Sequence, residues 1–213
     1  GTKVFDLTEI YYGLSLQLVV YLDSIAKIEG ARHPEKRVVK AGMFYYHMQD
    51  PILEDDLDSA DAIENKLLSQ LKLEGLANAD PEVLSWMDKQ MDKEPQVLPV
   101  KVKKDGSLSA GSNVATSEQI DQLGYFVGRR IEALTDEWMS GDISKNPYLY
   151  VKESSKKTAC DYCRYKGICR FDENREGCEY HRLIELNDKN VWERVYEEVK
   201  DAWEDHGQMN KNK

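Results

Sequence analysis

Apolar positions crowd the start of the chain. Asp6-Leu-Thr-Glu9 reads as a capping-box variant, with Asp at the N-cap and Glu three residues on. The pattern predicts one helix from about Leu7 to Ile28, apolar on most sides through Ile10, Leu14, Leu16, Leu18, Val19, Val20, Leu22 and Ile25. All-round apolarity predicts burial in the middle of a domain, with Gly30 and Pro34 closing the helix. Arg37 to His47 is β-branched and aromatic and predicts a strand, with Gly42 marking a bulge or a close backbone approach.

The acidic run Glu54, Asp55, Asp56, Asp58 and Asp61 reads as a loop feeding the positive end of a helix over about Ser59 to Leu73. A second helix is predicted from about Pro81 to Met91, then a short strand from Val97 to Val102 and an Asp-Gly turn at Lys104-Asp-Gly106-Ser. Thr116-Ser-Glu-Gln119 is a second capping box. The helix that it opens carries an apolar stripe of Ile120, Leu123, Val127, Ile131, Leu134 and Trp138, and ends at Gly141. Asn146-Pro147 leads an extended segment into a Cys-rich loop. A last amphipathic helix runs from about Val191 to Trp203, and the Asn/Lys tail is expected to be loose. The fold class is therefore α/β and helix-rich, with a mixed sheet.

Chemistry concentrates in Cys160-Asp-Tyr-Cys163-Arg-Tyr-Lys-Gly-Ile-Cys169, a C-x2-C-x5-C run. Three of the chain's 4 cysteines fall there. Thiolates are soft ligands, and the x2 spacing lets two sulfurs grip one metal from a tight turn. Cys178 and His181 are the local choices for a fourth ligand, and the spacing does not decide between them. It also leaves both structural zinc, the commoner, and an iron–sulfur cluster open. Such cysteine usage fits a reducing cytoplasm better than a disulfide scaffold. No run approaches the length of a membrane span.

The formal net charge of -10 argues against a chain coated for nucleic-acid binding. Basic residues still cluster at Lys101, Lys103 and Lys104, at Arg129-Arg130, and from Lys152 through Lys157 to Arg164, Lys166 and Arg170. For any one cluster a solvated face is the preferred reading.

Gln17-Leu-Val-Val-Tyr21 puts an amide and a phenol at i and i+4 on one face of an apolar helix. A buried Gln is costly unless its amide is satisfied, so a hydrogen-bond partner is expected. The string from Tyr11 to Leu22 resembles the Q-x3-Y motif of RecB-type nucleases in the PD-(D/E)xK superfamily. Ala41-Gly42-Met43-Phe44-Tyr45-Tyr46, Gln49-Asp50-Pro51, Gly75-Leu76, Asp80-Pro81-Glu82-Val83, Asp105-Gly106-Ser107 and Cys160 through Asp172 resemble one branch, the AddB-type subunits of bacterial AddAB helicase–nucleases.

This resemblance implies that Gln17 and Tyr21 face a metal and the scissile phosphate. It also implies a 4Fe-4S cluster that staples the nuclease domain. Cys160, Cys163 and Cys169 match three of its ligands, and a fourth cysteine lies upstream of Gly1. Cys178 falls outside the pattern, as a substitute ligand or a bystander. The superfamily's catalysis uses an Asp and a (D/E)-x-K on adjacent strands to hold Mg2+. Here no Asp-x-Lys occurs, and Glu64-x-Lys66 and Glu198-x-Lys200 both read as solvated helix pairs. The chain is accordingly expected to be a fragment that begins just after a missing D-Y-K-S and does not cut DNA alone.

The fold implied is a partial restriction-endonuclease-like core that lacks its first catalytic strands. Its expected parts are the Q-x3-Y helix and core strand over 1–52, a helical insertion over 53–95, and a strand, turn and long helix over 96–150. A metal-binding segment over 151–185 and a C-terminal helix over 186–213 follow. The implied parent is a cytoplasmic enzyme that resects DNA ends with an AddA-type helicase–nuclease partner and ATP. Exposed apolar surface on the first helix and on Val38–Tyr46 predicts low stability, self-association, or both. A CRISPR-associated RecB-type nuclease is the nearest alternative, disfavoured by the long separation of Gln17 from Cys160. A zinc-stabilised interaction module, with Cys160, Cys163, Cys169 and Cys178 as ligands, is the alternative without catalysis.

Overall fold

The computed structural model describes residues 4–47, 63, 67–68, 71–89, 95, 97–103, 105–109, 111–153 and 155–211, with side chains to 203. The acidic run, Gln49-Asp50-Pro51 and Glu64-x-Lys66 lie outside the described residues, as does most of the helix expected over Ser59 to Leu73.

The N-terminal helix is two helices: α1, Leu7–Tyr11, and α2, Gln17–Arg32. Asp6 caps α1 by accepting from the Glu9 amide at 3.1 Å. Glu9 does not return the bond, so only half of the capping box forms. Gly13 ends α1 at φ 83°, where the Leu14 amide reaches the Glu9 carbonyl at 2.8 Å and the Gly13 amide reaches that of Ile10 at 3.0 Å. That is a Schellman closure, and it needs a residue without a Cβ penalty at the left-handed position. The single long helix and its all-round burial are both corrected. Of α2, only Val19 is buried, whereas Tyr21, Ile25 and Ile28 are at least half exposed. Apolar residues on every side do not compel burial when the core takes only one of those sides. The helix also runs through Gly30 and stops at Arg32, before His33-Pro34.

The predicted strand shrinks to β1, Gly42–Tyr45, which pairs antiparallel with β2, Glu74–Asn78. The close approach expected at Gly42 is present, since a Cβ there would lie 2.7 Å from the Leu76 carbonyl oxygen. Opposite, a Cβ on Gly75 would overlap the Met43 carbonyl oxygen outright. Asp80 caps α3, Pro81–Met87, which is shorter than predicted. Val97 to Val102 is not a strand. Leu98 and Val100 are buried in a small second core, and only Val102 bridges to Leu108 across the Asp-Gly turn.

The two-residue β3, Val114–Ala115, lies parallel to β2 and completes a mixed sheet of order β1-β2-β3. The Thr116 capping box forms in full and opens α4, Ser117–Met139. Its stripe is buried at Ile120, Leu123 and Val127 and emerges at Ile131, Leu134 and Trp138. Asn78 ties sheet to helix: its amide donates to the Lys40 carbonyl and the Ser117 hydroxyl, both at 2.9 Å.

The extended segment after Pro147 is a hairpin, β4 (Tyr148–Lys152) with β5 (Ser155–Thr158). One turn of helix, α5 (Lys166–Cys169), sits within the Cys-rich loop. Strand β6, His181–Ile184, returns parallel to β4 and gives a second sheet of order β5-β4-β6. The last helix, α6, spans Asp188–Lys211, so it continues through most of the tail expected to be loose. Val191, Val195 and Val199 recur every four residues on α6, and all three are buried against the main core of α1, α4 and the first sheet.

Candidate functional site

Gln17 and Tyr21 open α2 and meet at i, i+4: the Gln17 Nε2 donates to the Tyr21 hydroxyl at 2.9 Å. Both are exposed, Tyr21 at 55%. The expectation of a buried, capped Gln is therefore corrected. The amide is satisfied by its own neighbour, and the pair faces outward, where a ligand can reach it.

The link between α1 and α2 is held by the β4–β5 hairpin. Glu9 accepts from the Ser15 hydroxyl at 2.9 Å and from Lys157 Nζ at 3.0 Å. Ser15 is two residues before Gln17, and Lys157 is three before Cys160. The stem of the Cys-rich loop thus stands beside the start of the Gln17 helix. Deeper in the same open pocket, Lys152 Nζ donates to Asp6 at 2.5 Å, and the Tyr150 hydroxyl donates to it at 3.3 Å.

Burial pushes the Asp6 carboxyl up, but the Lys152 bond, the Glu9 amide and the lysine's charge together hold it below the usual range. The Lys152 ammonium is raised by the Asp6 bond. Burial and the Asp6 charge push the Tyr150 hydroxyl up to about 12.

A second cluster is built on α2 itself, at Asp23. Lys40 Nζ reaches Asp23 at 2.6 Å and Asp121 at 2.7 Å. Burial opposes its charge, yet Asp121 and Asp23 raise the Lys40 ammonium overall. Gly124 makes room for this pairing, since a Cβ there would lie 2.7 Å from the Asp23 Oδ1.

Periodicity carries no sign of these clusters, because strand pairing creates them between residues distant in the chain. The cap residues Asp6 and Glu9 and the basic cluster beginning at Lys152 are their only traces in the sequence.

Asp6, Glu9, Asp23 and Asp121 are thus each tied to a lysine. These residues do not fit a divalent cation, which needs vacant carboxylate oxygens. Glu198-x-Lys200 is in a helix and both side chains reach solvent, as expected. Glu198 accepts from the Tyr11 hydroxyl at 2.8 Å and pairs with Arg130 at 3.3 Å, while Lys200 pairs with Glu197.

Cys160, Cys163 and Cys169 are free thiols on one loop, Cys163 exposed and the other two partly so. Turn bonds hold the loop: the Cys163 amide reaches the Cys160 carbonyl at 3.4 Å, and that of Cys169 reaches Tyr165 at 2.8 Å. Cys178 is buried and lies at the following turn. In kind, three neighbouring thiols suit a thiolate-bound metal or cluster. Among the described residues, no three His, Cys, Asp or Glu side chains converge into a closed metal site.

Among the described residues no helix is long and apolar enough to cross a membrane. The family model of the PD-(D/E)XK nuclease superfamily matches residues 1–170. The chain is 37% identical over 202 residues to the B-type subunit of the ATP-dependent helicase/deoxyribonuclease of Caldanaerobacter subterraneus subsp. tengcongensis, covering 94% of this chain and 17% of the relative. It is 34% identical over 209 residues to the protein of that name from Clostridium acetobutylicum, covering 98% of this chain and 18% of the relative. For Clostridium botulinum strain Hall the figures are 38% over 197 residues, 92% and 17%. The chain therefore spans less than a fifth of the length of these relatives. With a match over more than three quarters of its length, the chain belongs to the PD-(D/E)XK nuclease superfamily.

Proposed function

We propose that the chain is the supporting part of the nuclease domain in the B-type subunit of an ATP-dependent helicase/deoxyribonuclease. The parent hydrolyses DNA phosphodiesters with Mg2+ while processing broken ends for recombinational repair, together with an AddA-type helicase–nuclease partner that uses ATP. The observation that carries this reading is the outward-facing Gln17–Tyr21 pair beside the hairpin stem of the Cys-rich loop, in a chain of this superfamily. A hydrogen-bonded amide and phenol orient a phosphate and a metal-bound water by donating and accepting, without supplying charge. Neither is a principal acid or metal ligand. The carboxylates that hold Mg2+ belong to another part of the parent, and the chain by itself does not hydrolyse DNA.

In this reading Cys160, Cys163 and Cys169 hold three corners of a 4Fe-4S cluster, with Cys178 the nearest fourth thiol in this chain. A cluster held by these residues would tie the turns carrying Cys160, Cys163, Cys169 and Cys178 to one another and would supply structure rather than hydrolysis. The chain's own residues orient that loop: Lys157 on Glu9, and Thr158, whose amide donates to Asp161 at 2.7 Å.

Anaerobic purification followed by iron, zinc and sulfide analysis tests the reading. Iron with stoichiometric sulfide, lost on Cys163→Ser, is expected. One zinc per chain without iron would contradict it and favour a structural zinc site on Cys160, Cys163, Cys169 and Cys178 in a module without catalysis.

A further inference from the structure

In the Cys-rich loop three carboxylates are held by groups other than the cations of its tip, while Glu176 and Glu179 are exposed without an ion-pair partner among the described residues. Asp161 accepts from the Thr158 amide and hydroxyl at 2.7 and 3.1 Å. Asp172 accepts from Asn174 at 3.1 Å, and Glu173 pairs with Arg182 at 3.6 Å. These three carboxylates are thus occupied by groups other than the cations of the loop's tip. Arg164, Lys166 and Arg170 are exposed, and none has an ion-pair partner among the described residues. Some exposed cations elsewhere are matched, as in Arg129–Glu132, Lys189–Glu193 and Lys200–Glu197, and others, such as Lys101, Lys103 and Lys156, likewise have no ion-pair partner among the described residues.

Two exposed tyrosines stand beside those cations in the loop. Tyr162 is 96% exposed and Tyr165 is 70% exposed. Neither side chain has a hydrogen bond or ring contact among the described residues. By contrast Phe171 and Tyr180, at the base of the loop, are 4.7 Å apart edge to face. The base of the loop is packed and its tip is bare. Exposed aromatics without a structural partner call for an explanation, because burial of an aromatic ring is strongly favourable.

A chain of net charge -10 that gathers unmatched cations around two bare phenol rings has the complement of one ligand class. Bases stack on aromatic faces regardless of sequence, and phosphates follow the intervening cations. A duplex hides its base faces and offers phosphates alone.

We propose that the tip of the Cys-rich loop is a contact for single-stranded DNA, in which Tyr162 and Tyr165 stack on bases and Arg164, Lys166 and Arg170 meet phosphates. The choice of DNA over RNA rests on the nuclease reading; the stacking and charge argument does not. With its stem against Glu9 and Ser15, the loop would hold a strand near the Gln17 helix without touching the bond to be cut.

The test is fluorescence anisotropy of the full chain, purified anaerobically, with a labelled oligothymidylate and with a duplex of equal length. It is run without Mg2+ and over a range of salt. The single strand is expected to bind more tightly than the duplex. Tyr162→Ala with Tyr165→Ala is expected to weaken single-strand binding by at least about fivefold per ring, leaving the salt slope unchanged. Arg164→Gln, Lys166→Gln and Arg170→Gln together are expected to flatten the slope by about 2, at roughly 0.7 per phosphate contact.

Iron, zinc and sulfide content is measured on each variant, and only variants that match the parent chain are compared. Equal binding of strand and duplex would overturn the proposal. So would tyrosine variants that bind as the parent does, or a loop whose variants lose a protein partner while keeping DNA. Because binding is read without hydrolysis, a failed contact is distinguishable from a failed nuclease reading, which shows as absence of cleavage in the complete domain.

Discussion

Asp6 does three jobs at once. It caps α1 through the Glu9 amide, pairs with Lys152 and accepts from Tyr150, which joins the first helix to the second sheet. Its lowered carboxyl contributes stability that is present above the ordinary value of 3.8 and is lost as the pH falls through the folded value. Lys152 and Lys40 run the other way. Both are raised, so their contribution is present below the ordinary 10.5 and is lost as the pH rises through their folded values. Stability should therefore be flat across neutrality and fall at both extremes. Asp6→Asn should cost about 1 kcal/mol near pH 7, by leaving Lys152 without its charge partner, and should make the acid limb shallower. Urea midpoints measured from about pH 2.5 to 7 check both; an unchanged acid limb would mean that Asp6 does not set it. This ion pair was not legible in the sequence. The cap at Asp6 was, but its lysine is brought up only when β4 pairs with β6 and the hairpin folds onto α1.

At the scale of elements, local signals with a stereochemical cause held best. The Thr116 capping box, the Asp80-Pro81 start and the glycine stop at Gly141 all stand where the residues put them. Gly13 was equally legible as a helix stop, yet the apolar run around it read as one continuous helix. The periodic signal also overran at α2 and at the end of α4, where apolar side chains project from the surface. Strand β2 carried almost no signal, because Glu74-Gly-Leu-Ala-Asn78 is short and poor in β-branched residues. Its place comes from Gly75, which lets β1 close to within contact of its backbone. Gly75→Ala should therefore cost about 3 kcal/mol, against about 1 kcal/mol for the loss of the cap in Thr116→Ala. Chemical denaturation of the two variants checks the ranking; equal losses would mean that the β1–β2 contact is looser than described.

For the molecule as a whole, two sheets flank a core of α1, α4 and α6, and the two sequence features richest in chemistry are brought to one side. The Q-x3-Y string and the cysteine triplet lie far apart in the chain, and each was legible by itself. What the sequence withheld was their link, Glu9 between Ser15 and Lys157. That link belongs to the central proposal, in which the chain orients DNA for cleavage by the parent. The most direct test grafts this chain in place of the aligned segment of the Clostridium acetobutylicum relative and measures Mg2+- and ATP-dependent release of nucleotides from linear DNA, alongside the isolated chain. The graft should hydrolyse DNA and the isolated chain should not. Gln17→Ala should lower cleavage by the graft about 10- to 100-fold, as expected for a group that orients a metal site, while leaving stability within about 0.5 kcal/mol because the side chain is exposed. Robust Mg2+-dependent cleavage by the isolated chain, lost on Gln17→Ala, would contradict the account, as would a graft whose cleavage is indifferent to Gln17.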